Sequence, residues 1–130
     1  MNIQEHINFW IESAEHDLAT AEDLFIAGRL DWCLFLGHLV LEKHLKAIYV
    51  LDNNNKFPPR THNLLKLAEH TKLELTPEQK IFLDEVNEFN LEVRYPAFRN
   101  EFYKRCTLDF TKKYFIQIKE FSLWLRYQIE

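Results

Sequence analysis

Apolar residues recur at three- and four-residue steps along most of this chain, and the pattern changes phase where glycine, proline or a polar run permits a turn. Ile7, Ile11, Ala14, Leu18, Ala21 and Phe25 form the first such stripe and predict a helix from Ile3 to Ala27, stopped by a left-handed residue at Gly28. Asp31 reads as the N-cap of a second helix that reaches Leu51. Its sequence, WCLFLGHLVLEKHLKAIYVL, is apolar around much of its circumference, which marks it as the central and most buried helix.

The polar run DNNNKFPPR, residues 52–60, is the one long connection, because Pro58 and Pro59 cannot continue a helix. Thr61 reads as the cap of a short helix over HNLLKLAEHT. Thr76, Pro77 and Gln79 then fit a capping box with proline at the first helical position. Phe82, Val86 and Phe89 mark the buried face of a helix ending near Asn90, and Phe110, Tyr114, Ile118, Phe121 and Leu125 that of a last helix reaching Gln128. No repeat, low-complexity tract or linker divides them. Residues 1–130 are therefore expected to form one all-α domain, an antiparallel four- to five-helix bundle.

Composition supports that expectation. Two glycines and four prolines in 130 residues are too few turn formers for a sheet of many short strands, while 47% apolar content suffices for a core without staples. Cys33 and Cys106 have no metal-ligand spacing, Cys33 sits in an apolar run where a buried free thiol is ordinary, and a reducing compartment is the simplest expectation. The first residues lack a basic stretch leading into an apolar one, and no run of eighteen apolar residues follows, so a cytoplasmic protein without a membrane partner is expected. Eleven phenylalanines, five tyrosines and three tryptophans are much aromatic area for a small bundle. Phe9, Trp10, Trp124 and Tyr127 fall partly outside the stripes, as either a self-association surface or a widened core stripe would require.

A net charge of −4 argues against gripping nucleic acid over the whole surface, yet the charge is uneven. Residues 1–31 carry seven carboxylates against Arg29, and residues 94–119 carry seven bases against Glu101 and Asp109. Such asymmetry suits an anion site, or mutual complementation across a bundle or dimer.

The basic segment LEVRYPAFRNEFYKR, residues 91–105, holds the most concentrated chemistry. Pro96 lacks a backbone donor and biases Tyr95 away from helical angles, so Arg94, Tyr95 and Arg99 should lie at or beside a helix break. Arg94 and Arg99 are planar forks for phosphate oxygens, Tyr95 or Tyr103 can stack on a base, and Lys104 adds charge. Equally, these arginines can cap helix ends or bridge to Glu88 and Glu92. On the second helix His38, Glu42 and Lys46 share one stripe. It is either a solvated edge with a Glu42–Lys46 ion pair, or the polar wall of a cleft in which Glu42 positions a base or an arginine.

Other chemistries lack their residues. No histidine has a glutamate three positions before it and there is no His-Glu-x-x-His, so neither metal nor cofactor is expected. A nucleophile elbow and a glycine-rich phosphate loop are also missing.

In order and spacing, WIESAEHDLATAEDLF, DWCLFLGHLVLEKHLKA, THNLLKLAE and VRYPAF together resemble the HEPN domain (higher eukaryotes and prokaryotes nucleotide-binding) over nearly the whole chain. The marks are Asp17-Leu18, His38 through Glu42-Lys43 to Lys46-Ala47, His62 with Leu64 and Leu65, and Arg94-Tyr95-Pro96. The resemblance implies a helical bundle, usually a homodimer, with Asp17, His38, Glu42, Lys43 and Lys46 lining a cleft. Small bacterial members often pair with a minimal nucleotidyltransferase in toxin–antitoxin-like modules. Many members are metal-independent ribonucleases with an Arg, four to six residues, then a His.

Here no histidine follows His70: the six-residue gap from Arg94 ends at Glu101, and the four-residue gap from Arg99 at Lys104. Tyr103 stands where some members carry a tyrosine that the partner nucleotidylates. The reading is a non-catalytic subunit that dimerises, pairs with a nucleotidyltransferase and binds nucleotide or RNA phosphate through Arg94, Tyr95, Arg99, Tyr103 and Lys104. Its alternatives are a divergent ribonuclease toxin using Arg94 or Arg99 with Glu101 or His38, and a structural dimerisation module.

Overall fold

Gly28 ends the first helix with φ of 78°, a backbone state that costs a residue with a Cβ and that glycine adopts freely. The computed structural model describes residues 1–130 and contains six helices and no strand. These are α1 (Ile3–Ile26), α2 (Leu30–Asp52), α3 (Leu64–Glu69), α4 (Pro77–Arg94), α5 (Pro96–Arg105) and α6 (Leu108–Ile129). Four long helices make the bundle, and the two short ones, α3 and α5, each pack on α2 and α4.

The reversal at Gly28 is so tight that α2 restarts at once, with Cys33 N–H already bonded to the Arg29 carbonyl at 3.0 Å. Arg29, not Asp31, therefore occupies the N-cap position. Asp31 lies buried in the first turn, where its charge meets the positive end of the helix. Asn63 rather than Thr61 caps α3, its side-chain oxygen accepting from Leu65 N–H at 3.1 Å and Lys66 N–H at 3.3 Å. Thr61 sits just upstream and accepts from Asn63 N–H. The capping box of α4 forms as expected: Thr76 Oγ1 accepts from Gln79 N–H, and Gln79 Oε1 from Thr76 N–H.

Helix α4 continues past Asn90 to Arg94, because Val93 is buried and keeps one more turn on the core. The break is the single residue Tyr95, extended at φ −107° and ψ 116°. Pro96, which stops α4, is also the first residue of α5, where its missing N–H leaves no bond unmade. This short helix is the sixth element, one more than the periodicity predicts.

Helix α2 packs against all five others and contributes fourteen buried residues, from Cys33, Leu34 and Leu41 through Leu45 and Ile48. At its crossing with α6, a Cβ on Gly37 would stand 2.8 Å from Ile118 Cδ1. Phe82, Phe89, Phe102, Phe110, Tyr114 and Phe121 stack into one aromatic layer between α4, α5 and α6. Trp124 joins it through Phe121, while Phe9 and Tyr127 stay exposed. No helix is long and apolar enough to cross a membrane.

Candidate functional site

The polar stripe of α2 is interior. His38, Glu42 and Lys46 are 0%, 4% and 9% exposed, so the solvated-edge alternative does not hold, although its ion pair does. Glu42 uses both carboxylate oxygens: Oε2 accepts from Lys46 Nζ at 3.0 Å and Oε1 from His62 Nδ1–H at 2.7 Å. Lys46 also lies 5.1 Å from the centre of the Trp10 ring. Buried charge demands this kind of pairing, since an unpaired ion in the interior loses its hydration without compensation.

His38 donates from Nε2–H to the His62 carbonyl at 2.8 Å, which places its proton on Nε2. Its Nδ1 has no hydrogen-bond partner and lies 3.9 Å from Glu42 Oε1. Burial lowers the His38 pKa to about 4, outweighing the nearby Glu42 charge and the bond to the His62 carbonyl, which both raise it. The ring is thus a neutral brace. His62 is held twice, at its backbone by His38 and at its ring by Glu42, and this leaves its Nε2 uncommitted.

His62 forms one wall of a cleft of about 330 Å³ between the α2–α3 connection and α4. The opposite wall is a helical stripe, Asp84, Asn87, Glu88, Leu91 and Arg94, spaced by three and four residues so that all face the same side, with Asn90 beside it. Asn87 seals the base: its side-chain oxygen accepts from Leu64 N–H at 2.9 Å, and its amide donates to Asn63 Oδ1 at 3.1 Å. Arg94 ends α4 at the rim and forms no ion pair or side-chain hydrogen bond. The cleft therefore offers one free guanidinium, two carboxylates, amides and a fixed imidazole.

Arg99 lies elsewhere. Its Nε donates to the Val93 carbonyl at 3.1 Å, satisfying an end carbonyl of α4, and its guanidinium stands 5.6 Å from the Trp32 ring centre. With Asp31, Pro96, Asn100 and Tyr103 it lines a separate depression of about 240 Å³. Tyr95 is half exposed at the hinge, and Glu101 and Lys104 are exposed on α5. Glu92 bridges to Arg105 at 2.9 Å rather than to Arg94 or Arg99, and partial burial raises its pKa. Asp17 and Lys43 pair at 2.6 Å, tying α1 to α2.

His62 thus joins the buried group of His38, Glu42 and Lys46 and also lines the cleft with Arg94; Asp17, His38, Glu42, Lys43 and Lys46, expected as cleft-lining, do not line it, and Arg99 and Tyr103 lie apart. Of the residues that line the cleft only Arg94 stood among the expected site residues; His62 entered only as a mark of the family resemblance, and Asn63, Asp84, Asn87 and Asn90 did not enter as site residues at all. Besides that mark, His62 carried a signal of its own, a lone imidazole between a proline-rich connection and a helix cap. No group of three or more His, Cys, Asp or Glu is placed to hold a metal ion. Cys33 and Cys106 are buried free thiols pushed up to about 12 by burial, which keeps them protonated and poor nucleophiles.

The family model described as the HEPN domain matches residues 7–126, a span that includes the polar junction, the cleft and α5. Comparison with curated proteins and with solved structures found no match.

Proposed function

Because this chain belongs to the HEPN domain family, we propose that it is a non-catalytic, dimeric HEPN subunit that binds a nucleotide or RNA phosphate at the Arg94 cleft and pairs with a nucleotidyltransferase. The observation that carries the reading is the free Arg94 guanidinium at the mouth of a cleft whose histidine is clamped in place. A planar guanidinium binds phosphate oxygens bidentately, and its position at the end of α4 leaves it open to solvent. Tyr95, next to it and 48% exposed, supplies a stacking face. The ribonuclease pattern lacks its histidine after Arg94, which supports binding over cutting. Exposed Phe98 and Tyr103 on α5 and Phe9 on α1 give apolar area for a second copy or a partner enzyme.

Titration of the purified protein with nucleotides and short RNAs tests the site. Arg94→Ala is expected to weaken binding about tenfold or more, the loss of one charge-assisted pair. Unchanged affinity for nucleotide and RNA in Arg94→Ala removes the assignment, and Arg99→Ala, outside the cleft, is the control expected to bind as the wild type does.

One observation favours a second reading. A histidine whose Nδ1–H is held by a buried carboxylate is oriented to accept a proton at Nε2, and Arg94 lines the same cleft. A divergent ribonuclease built on His62 and Arg94 would cleave RNA in the presence of chelator. Intact RNA after incubation with the dimer rejects it.

A further inference from the structure

Asn90 combines burial with an unused amide. It is 4% exposed, yet its side chain forms no hydrogen bond within the chain. Nor are its polar atoms among those sealed away from solvent without a partner, so its amide opens on the cleft that Asn90 lines. With no partner inside the chain, both the donor and the acceptor of this amide remain open to a molecule that enters the cleft. Neighbouring Asn87 shows the contrast, since both ends of its amide are spent on Leu64 and Asn63.

Resting on the nucleotide reading above, we infer that the cleft takes an adenosine monophosphate-type ligand, with Asn90 reading the base edge and Arg94 the single phosphate. A primary amide presents one donor beside one acceptor, and adenine offers the complementary pair at N7 and the N6 amine. Four residues along a helix rise about 6 Å, so Asn90 and Arg94 are set one turn apart along the cleft wall, close to the base-to-phosphate span of one nucleotide. Charge limits the phosphate count. Arg94 is the sole guanidinium or ammonium of the cleft, while Asp84 and Glu88 supply two carboxylates. Those carboxylates accept from ribose hydroxyls but repel a second phosphate, which disfavours triphosphates and RNA backbone. His62, clamped by Glu42, closes the opposite side.

The test is calorimetric titration with AMP, GMP, CMP, UMP, ADP, ATP, ribose 5-phosphate and a short RNA, using the wild-type chain, Asn90→Leu and Arg94→Ala. The expected result is that AMP binds best among the monophosphates and better than ATP. Asn90→Leu then weakens AMP about tenfold, flattens the ranking of bases and leaves ribose 5-phosphate unchanged. The variant also keeps the urea midpoint, because no bond within the chain is lost; a structural role for Asn90 would lower it. Triphosphate or RNA binding that depends on Arg94 but is indifferent to Asn90→Leu overturns this inference and leaves the nucleotide reading standing. Absence of binding by every nucleotide and RNA overturns both.

Discussion

Replacing Glu42 by leucine tests whether the buried polar junction is held together as its geometry implies. In the native chain Glu42, 4% exposed, is the shared partner of Lys46 at 3.0 Å and His62 at 2.7 Å. Leucine leaves the Lys46 ammonium, 9% exposed, with only the Trp10 ring as company. Removing one member of a buried pair costs about 3–5 kcal/mol, because the remaining charge stays desolvated. A cation–π contact of about 1–2 kcal/mol does not make up the difference. With a urea m-value of about 2 kcal/mol/M, the expected fall in the unfolding midpoint is about 2 M. Glu42→Leu with Lys46→Met replaces the whole pair by apolar atoms and should recover most of that loss. Recovery of stability should not recover the site: in the double variant His62 has lost its carboxylate, so its ring signals broaden or shift in NMR spectra while the midpoint returns. A fall below about 0.5 M in Glu42→Leu would refute the reasoning, for it would show that Lys46 is already served by water.

Two further outcomes follow from the interior. Burial lowers His38 and His44 from the ordinary 6.5 to about 4, so the unfolded chain takes up their protons near pH 6.5 while the folded chain refuses them until about pH 4. Within that window the unfolded state binds more protons and stability rises with pH, by at most about 1.4 kcal/mol per unit for each histidine; the raised Glu92 opposes this slope. Urea melts from pH 7 to pH 4.5 should show the decline, and His44→Gln should make it shallower; a flat profile contradicts the buried neutral state. At the helix crossing, Gly37→Ala gains about 1 kcal/mol of helix propensity but drives a Cβ to 2.8 Å from Ile118 Cδ1, for a net loss of about 1–2 kcal/mol. Adding Ile118→Val deletes that methyl and should restore part of the loss, whereas a stabilised Gly37→Ala would mean that α6 yields freely.

Much of the fold was legible because helix periodicity and end chemistry are local. The stripe from Ile7 to Phe25, the stop at Gly28 and the Thr76–Gln79 box each depend on residues a turn or less apart. Sequence and structure part where two local rules compete. Asp31 is a good cap residue, but the tight reversal at Gly28 commits Leu30 to the helix before Asp31 is reached. Pro96 carries two meanings, ending one helix or beginning another, and here it does both across a one-residue hinge. Burial of Val93 draws α4 up to that hinge, a tertiary effect that no cap beyond Asn90 announces.

The cleft was less legible, since its parts come from elements far apart in the chain. The stripe of His38, Glu42 and Lys46 has the same spacing whether it faces water or protein. What decides is the connection after Pro59, whose His62 caps the stripe by accepting from His38 and donating to Glu42. Conversely, Arg94 and Arg99 look like one basic patch in sequence, yet five residues and an extended hinge send them into separate depressions. Arg99 then spends its guanidinium on the Val93 carbonyl and Trp32, and Arg94 alone keeps its own unpaired. Asn90 is the hardest to foresee, because an asparagine on a helix reads as surface until its surroundings close around it. Its burial beside a free arginine is information that only the folded chain holds, and the proposal that the cleft reads a base as well as a phosphate rests on it.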